Sequence, residues 1–247
     1  MEAFWDFIIV FGWPLAVVLL IASLIAGIAT RSTFKKFGAV ANSRGLTGAE
    51  IAQRILGAHQ LSGKFGAGYT VAVERSSGTL TDHYSPREKV LRLSDGVYAS
   101  ASIAAAGVAA HECGHALQDA EGYFPNKIRS AIAPVAGIGS KAGPYIAIAG
   151  VLLLYQMPNT PFGTILLNIG IIAYFIAFVF YLVTLPVEFD ASRRAIAVLR
   201  EEGILTESEL PGARKVLRAA AMTYVVAALA SLLTLLRLMS MGRRRRG

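Results

Sequence analysis

Four long stretches of this chain carry almost no charge, and nothing else in the sequence constrains its fold as strongly. They cover residues 7–29, 132–155, 162–185 and 219–241. A bilayer core of about 30 Å is crossed by about 20 helical residues at 1.5 Å each, so each run is long enough to span. Inside lipid every backbone N–H and C=O must find its partner within the segment, which predicts helices. Hydrophobic residues make up 54% of the chain and charged residues 16%, against roughly 25% charged in soluble domains. The deficit is concentrated in those four runs.

The first run is interrupted only by Gly12 and Pro14, and Trp5 and Trp13 stand near one end, where indole rings favour the interface. Glu2 and Asp6 precede it where a cleaved signal would be basic. It reads as a retained anchor over 4–29. Lys141, Gly143 and Pro144 interrupt the second run, so its span is expected to begin near Tyr145 or to kink there. The uncharged link over 156–161 holds two prolines and is short enough for a helical hairpin over 130–186. Arg237, near the end of the fourth run, is placed to snorkel.

The formal net charge is +8, but the cations flank apolar runs (Arg31, Lys35, Lys36, Arg237) or form the terminal Arg243–Arg246 tract. Such residues set topology and meet anionic headgroups. No basic face interleaved with aromatics is present, which argues against a nucleic-acid partner. Lysine and arginine crowd the polar segments 31–129 and 187–218 and are missing from the 156–161 link. The positive-inside rule then puts both polar segments in the cytoplasm of a plasma membrane and the N-terminus outside. If the fourth run crosses fully, the terminal arginines emerge on the opposite side. Either that run is re-entrant or interfacial, or the orientation is inverted.

The polar stretch 30–129 has the pattern of a small α+β domain. Thr47-Gly48-Ala49-Glu50 is a capping box opening a helix to about His59. Residues 69–75 alternate like a strand before a Ser76-Ser77-Gly78 turn, and 79–84 and 89–94 read as two more short strands. The last of these is a candidate open edge for pairing with an extended substrate, or else an ordinary sheet strand. Residues 102–120 are Ala-rich and helical in period. A further helical segment is expected over 187–218, before a C-terminal hydrophobic helix and basic tail over 219–247.

His111-Glu112-Cys113-Gly114-His115, inside the Ala-rich helix, matches H-E-x-x-H. Residues four apart share a helical face, so both imidazoles can reach one ion. Glu112 then stands beside the metal, placed to accept a proton from a water on it. Cys113 is the only cysteine; no disulfide can form within the chain, Cys-rich zinc modules are excluded, and Cys113 itself reads as a packed small side chain. A catalytic zinc wants a third protein ligand. The candidates are His59, His83 and downstream carboxylates, among which Glu188 stands out two residues after Pro186. At the start of a helix it would serve equally well as a dipole-stabilising acid. His59 reads as a structural or surface residue.

The order of anchor, His-Glu-x-x-His, hydrophobic hairpin and Glu188-Phe189-Asp190-Ala191-Ser192-Arg193 resembles the membrane-bound gluzincin peptidases, among them the heat-shock and CAAX prenyl protease types. The stretch from Pro186 to Ala195 and Asp82-His83-Tyr84-Ser85-Pro86 is more closely similar to the YugP-like neutral zinc metallopeptidases. The likeness covers about residue 30 to the C-terminus. It implies one Zn2+ per chain held by His111, His115 and Glu188, with Glu112 as general base, in a zincin-like domain. It implies peptide or membrane-protein substrates at a lipid bilayer. Gluzincins commonly carry an aspartate four residues after the ligand glutamate to orient a histidine. Here that position is Ser192 and the nearest acid is Asp190. Asp190, His83, Tyr84 and Arg193 are the candidates to orient a ligand or stabilise an oxyanion, with Arg194 beside them. Two other readings compete: a site-2-type protease with its motif inside a span, and a non-enzymatic scaffold with structural zinc or none. No feature sets an oligomeric state.

Overall fold

The computed structural model describes residues 2–61, 70–157 and 160–243. In chain order the elements are α1 (Glu2–Gly38), α2 (Gly48–Ala58), β1 (Ala72–Ser76), β2 (His83–Ser85), β3 (Val90–Ser94), α3 (Asp95–Tyr98), α4 (Ile103–Ala120), α5 (Phe124–Gln156), α6 (Phe162–Glu201) and α7 (Leu210–Arg243). Four of them, α1, α5, α6 and α7, are long and apolar enough to cross a membrane. The described residues are mostly helical, with one three-stranded sheet among them. Tyr69, expected to open the first strand, Pro158 and Asn159 of the hairpin link, and Arg244 to Arg246 lie outside the described residues.

The chain divides into two compact units. One comprises Met1–Ile25, Ile128–Leu185 and Thr223–Gly247; the other comprises Ala26–Lys127 and Pro186–Met222. In the first, α5 and α6 approach until backbone touches backbone. A Cβ on Gly139 would lie 2.1 Å from the Ala173 carbonyl oxygen, and one on Gly170 would lie 2.4 Å from the Ala147 nitrogen. Small residues four apart, Gly139 and Gly143, make this contact, the usual way apolar helices gain packing where no hydrophobic force separates protein from lipid. Side chains such as Val18, Ile25, Ile138 and Ile172 remain exposed, as lipid-facing side chains do. Helix α5 runs through Pro134 and Pro144 without a break. Arg237 stacks its guanidinium 3.9 Å from the centre of the Trp13 ring, a cation–π contact that shields the charge.

The second unit holds the sheet, in the order β1-β3-β2. β1 runs parallel to β3 with Ala72 opposite Val90, and β2 runs antiparallel with Tyr84 opposite Leu91. β3 is therefore central, paired on both sides, and is not the open edge considered above. Four of its five residues are buried, so it belongs in the middle of the sheet. β2 is shorter than the strand expected over 79–84, because Gly78 and Leu80 take positive φ in the preceding turn. Thr47 and Glu50 form the capping box in full, with Glu50 N–H donating to Thr47 Oγ1 and Thr47 N–H to Glu50 Oε2. Ser102 caps α4 by accepting from Ala105 N–H. Ala105, Ala106 and Ala109 are fully buried, and with no long side chains there α2 seats closely on α4. Ile51, Ile55, Leu91, Leu93, Val97 and Leu199 complete this core.

Helix α6 continues through Pro186 for 40 residues. Pro186 sits inside the helix instead of ending one, so Glu188 is an interior residue. The helix-start role considered for it in the sequence does not apply.

Candidate metal centre

Two helices of the second unit supply the centre: α4 with its His-Glu-Cys-Gly-His stretch and the part of α6 beyond Pro186. Their approach depends on Gly114, where a Cβ would stand 2.7 Å from the Ala191 carbonyl oxygen. With no side chain there, the backbones close up, and Glu188, one turn before Ala191, reaches the two imidazoles.

His111 Nε2 lies 3.3 Å from Glu188 Oε2, and His115 Nε2 lies 3.7 Å from Glu188 Oε1. The two rings meet edge to face, with centroids 4.7 Å apart. One ligand atom from each residue falls within 4.8 Å of the others, so the three can hold a metal ion. Two ligands on a tetrahedral zinc, with bonds of about 2.0–2.1 Å, are about 3.3 Å apart. The two nitrogen–oxygen spacings, one to each Glu188 oxygen, come close to that edge length, and one ligand atom from all three residues fits within 4.8 Å. The donor set, two neutral imidazoles and one carboxylate, suits zinc and leaves room for a fourth ligand. The residues present fit the group.

What turns each Nε2 inward is the bond made by the other ring nitrogen. His115 Nδ1 lies 3.0 Å from Gln118 Oε1. The Gln118 amide is oriented by two acceptors, since its Nε2 donates to the Val187 carbonyl at 2.9 Å and to Asp190 Oδ2 at 3.0 Å. Its oxygen is left to accept from His115 Nδ1–H, which makes His115 Nε2 a lone-pair donor. His111 Nδ1 lies 3.2 Å from Ser192 Oγ, one turn along α6 from Glu188. Ser192 thus contacts one ligand histidine directly, and Asp190 reaches the other through Gln118. Gln118 was missed in the sequence; its position three residues after His115, on the same helical face, was the available signal.

Glu112 is 8% exposed. Burial pushes its pKa up to about 7, opposed by His111 and a backbone hydrogen bond from Tyr84 and helped by the Glu188 and Asp82 carboxylates. A carboxyl group in that range both takes and gives up a proton near neutrality. Asp82 is held by the Ser94 N–H at 2.7 Å and Ser94 Oγ at 2.9 Å, tying the loop before β2 to the end of β3.

The remaining sequence candidates sit as follows. Tyr84 is buried, and its hydroxyl donates to Asp119 Oδ2 at 2.7 Å, an oxygen shared with Lys89 Nζ. His83 is exposed, with Nδ1 2.8 Å from the Thr81 carbonyl. Arg193 is ion-paired with Asp190, and its side chain is 79% exposed. Arg194 joins Asp190 at 2.6 Å to both oxygens of Glu121 at 2.8 and 2.7 Å. His59 caps α2, with Nδ1 3.0 Å from the Ile55 carbonyl. Cys113 is buried on the far side of α4, 3.8 Å from the Ala52 carbonyl. Helix α4 is not among the four helices long and apolar enough to cross a membrane.

Residues 13–243 match the model of a family described as "Putative neutral zinc metallopeptidase". A Bacillus subtilis (strain 168) protein with the name "Putative membrane protease YugP" is 46% identical over 208 residues, covering 84% of this chain and 85% of that one. No solved structure matches.

Proposed function

Because the chain belongs to the neutral zinc metallopeptidase family, we propose that it is a membrane-anchored, gluzincin-like endopeptidase that cleaves peptide or membrane-protein substrates beside the bilayer. The observation that carries this reading is the trio of His111 Nε2, His115 Nε2 and the Glu188 carboxylate, whose ligand atoms gather within 4.8 Å of one another as a metal site requires. An active-site helix beside a mixed three-stranded sheet supports a zincin-like domain.

His111, His115 and Glu188 would hold the zinc. When bound, zinc supplies a Lewis acid that polarises the scissile carbonyl and acidifies a water to a pKa of about 7. Glu112 accepts the proton as the water oxygen bonds to the carbonyl carbon. It then delivers that proton to the amide nitrogen as the C–N bond breaks, leaving a carboxylic acid and an amine. Tyr84 N–H steadies the Glu112 carboxylate from β2. Burial excludes bulk water, which strengthens each of these interactions.

The excess of lysine and arginine in 31–129 and 187–218 supports an active site facing the cytoplasm. The test is metal content and cleavage of a fluorogenic peptide library by detergent-purified wild type, Glu112→Gln and Glu188→Ala. The expected result is about one zinc per chain in the first two, cleavage by wild type only, and zinc lost from Glu188→Ala. Zinc retained by Glu188→Ala overturns the ligand set. Undiminished cleavage by Glu112→Gln removes the base.

A further inference from the structure

A second feature of the same unit lies apart from the metal centre. A shallow, open cavity of about 340 Å³ lies at the surface between the end of α1 and the start of α7. Three cations line it, Lys36, Lys215 and Arg218, together with Thr33, Phe37, Ala219 and Met222. Among the described residues no acidic side chain lines it. Among the described residues none of the three cations stands in an ion pair with a carboxylate. Three like charges gathered round one hollow repel each other unless an anion joins them.

Its level is set by the helices themselves. Thr30 Oγ1 donates to the Ala219 carbonyl at 3.1 Å, so α1 and α7 touch where the uncharged runs of both helices end. Lys36 is six residues beyond Thr30, or about 9 Å along the helix, and Lys215 is four before Ala219, or about 6 Å. The headgroup layer occupies about the first 5–8 Å beyond the hydrocarbon. Long lysine and arginine side chains cover the small difference.

We infer that this cavity binds the phosphodiester headgroup of an anionic glycerophospholipid, with the phosphate among Lys36, Lys215 and Arg218 and the glycerol end toward Met222. The charge pattern selects phosphatidylglycerol over phosphatidylcholine, whose quaternary amine would be repelled by the same cations. Membrane-level cations can also attract anionic lipid diffusely, without a site. Arg31 and Lys35 separate the two cases, because they lie on the same stretch of α1 and do not line the cavity.

The experiment titrates the full-length, detergent-purified protein with fluorescent phosphatidylglycerol and with phosphatidylcholine, and adds inorganic phosphate as competitor. Saturable phosphatidylglycerol binding is expected, weakened at least about ten-fold by Lys36→Gln/Lys215→Gln/Arg218→Gln and in the same direction by Lys215→Glu alone. Arg31→Gln/Lys35→Gln should stay within about two-fold of wild type, and millimolar phosphate should not compete. All five positions are exposed, so the variants are expected to fold, and unchanged circular dichroism and zinc content check this. Unchanged binding by both cavity variants overturns the site. An equal loss in Arg31→Gln/Lys35→Gln shows diffuse attraction instead. Displacement by inorganic phosphate shows a free-anion site without lipid.

Discussion

Replacing Gln118 by methionine tests how the metal centre is supported. The side chain is fully buried and makes three hydrogen bonds: His115 Nδ1–H to its oxygen, and its amide nitrogen to Val187 O and Asp190 Oδ2. Methionine has nearly the same length and volume, so packing survives and only the polar contacts go. Two neutral bonds at about 1 kcal/mol each and one to a carboxylate at about 2 give an expected loss of about 3–4 kcal/mol in stability. The zinc effect is separate. Without Gln118 the His115 ring is no longer held with Nε2 inward, and the loss of such an orienting bond weakens a metal about 10–100-fold. Gln118→Glu divides the two consequences. It keeps an acceptor for His115 but loses both donations and sets a second carboxylate against Asp190, so stability should fall at least as far while zinc affinity stays within a few-fold. The assay is zinc affinity by chelator competition in detergent, alongside thermal unfolding of the metal-free protein. Zinc affinity of Gln118→Met within about two-fold of wild type would refute the reasoning.

Gly114→Ala places a methyl 2.7 Å from the Ala191 carbonyl oxygen and should cost about 1–3 kcal/mol in thermal unfolding while also weakening zinc binding. Gly137→Ala, with nothing within 4 Å, serves as the near-neutral control. Tyr84→Phe removes the bond to the Asp119 carboxylate and should cost about 2 kcal/mol of stability with kcat kept within a few-fold; a hundred-fold fall in kcat would move that hydroxyl into the chemistry. Burial pushes the Cys113 thiol well above its ordinary pKa, so N-ethylmaleimide should leave zinc-dependent cleavage intact, and stoichiometric labelling of the folded protein would contradict this placement.

The features legible in the sequence are those carried by neighbours along the chain. Uncharged runs mark helices that can span, a Thr-x-x-Glu pair marks the start of α2, and two histidines one turn apart mark the shared face of α4. Each rests on helical period or local hydrogen bonding, which a short window of residues specifies without reference to the rest of the molecule. The tertiary structure decided what distant segments share. Pro186 was read as a boundary because proline removes a helical N–H, yet α6 passes through it and carries Glu188 as an interior residue. Nothing between residues 115 and 188 announces that α4 and α6 meet; Gly114 permits it by leaving space at the Ala191 carbonyl. The same packing put Gln118 between His115 and Asp190, 72 residues further on, set Ser192 against His111, and made β3 the centre of its sheet. These partnerships depend on which surfaces fit when the whole unit closes, a property of shape in three dimensions that no single stretch of the chain contains.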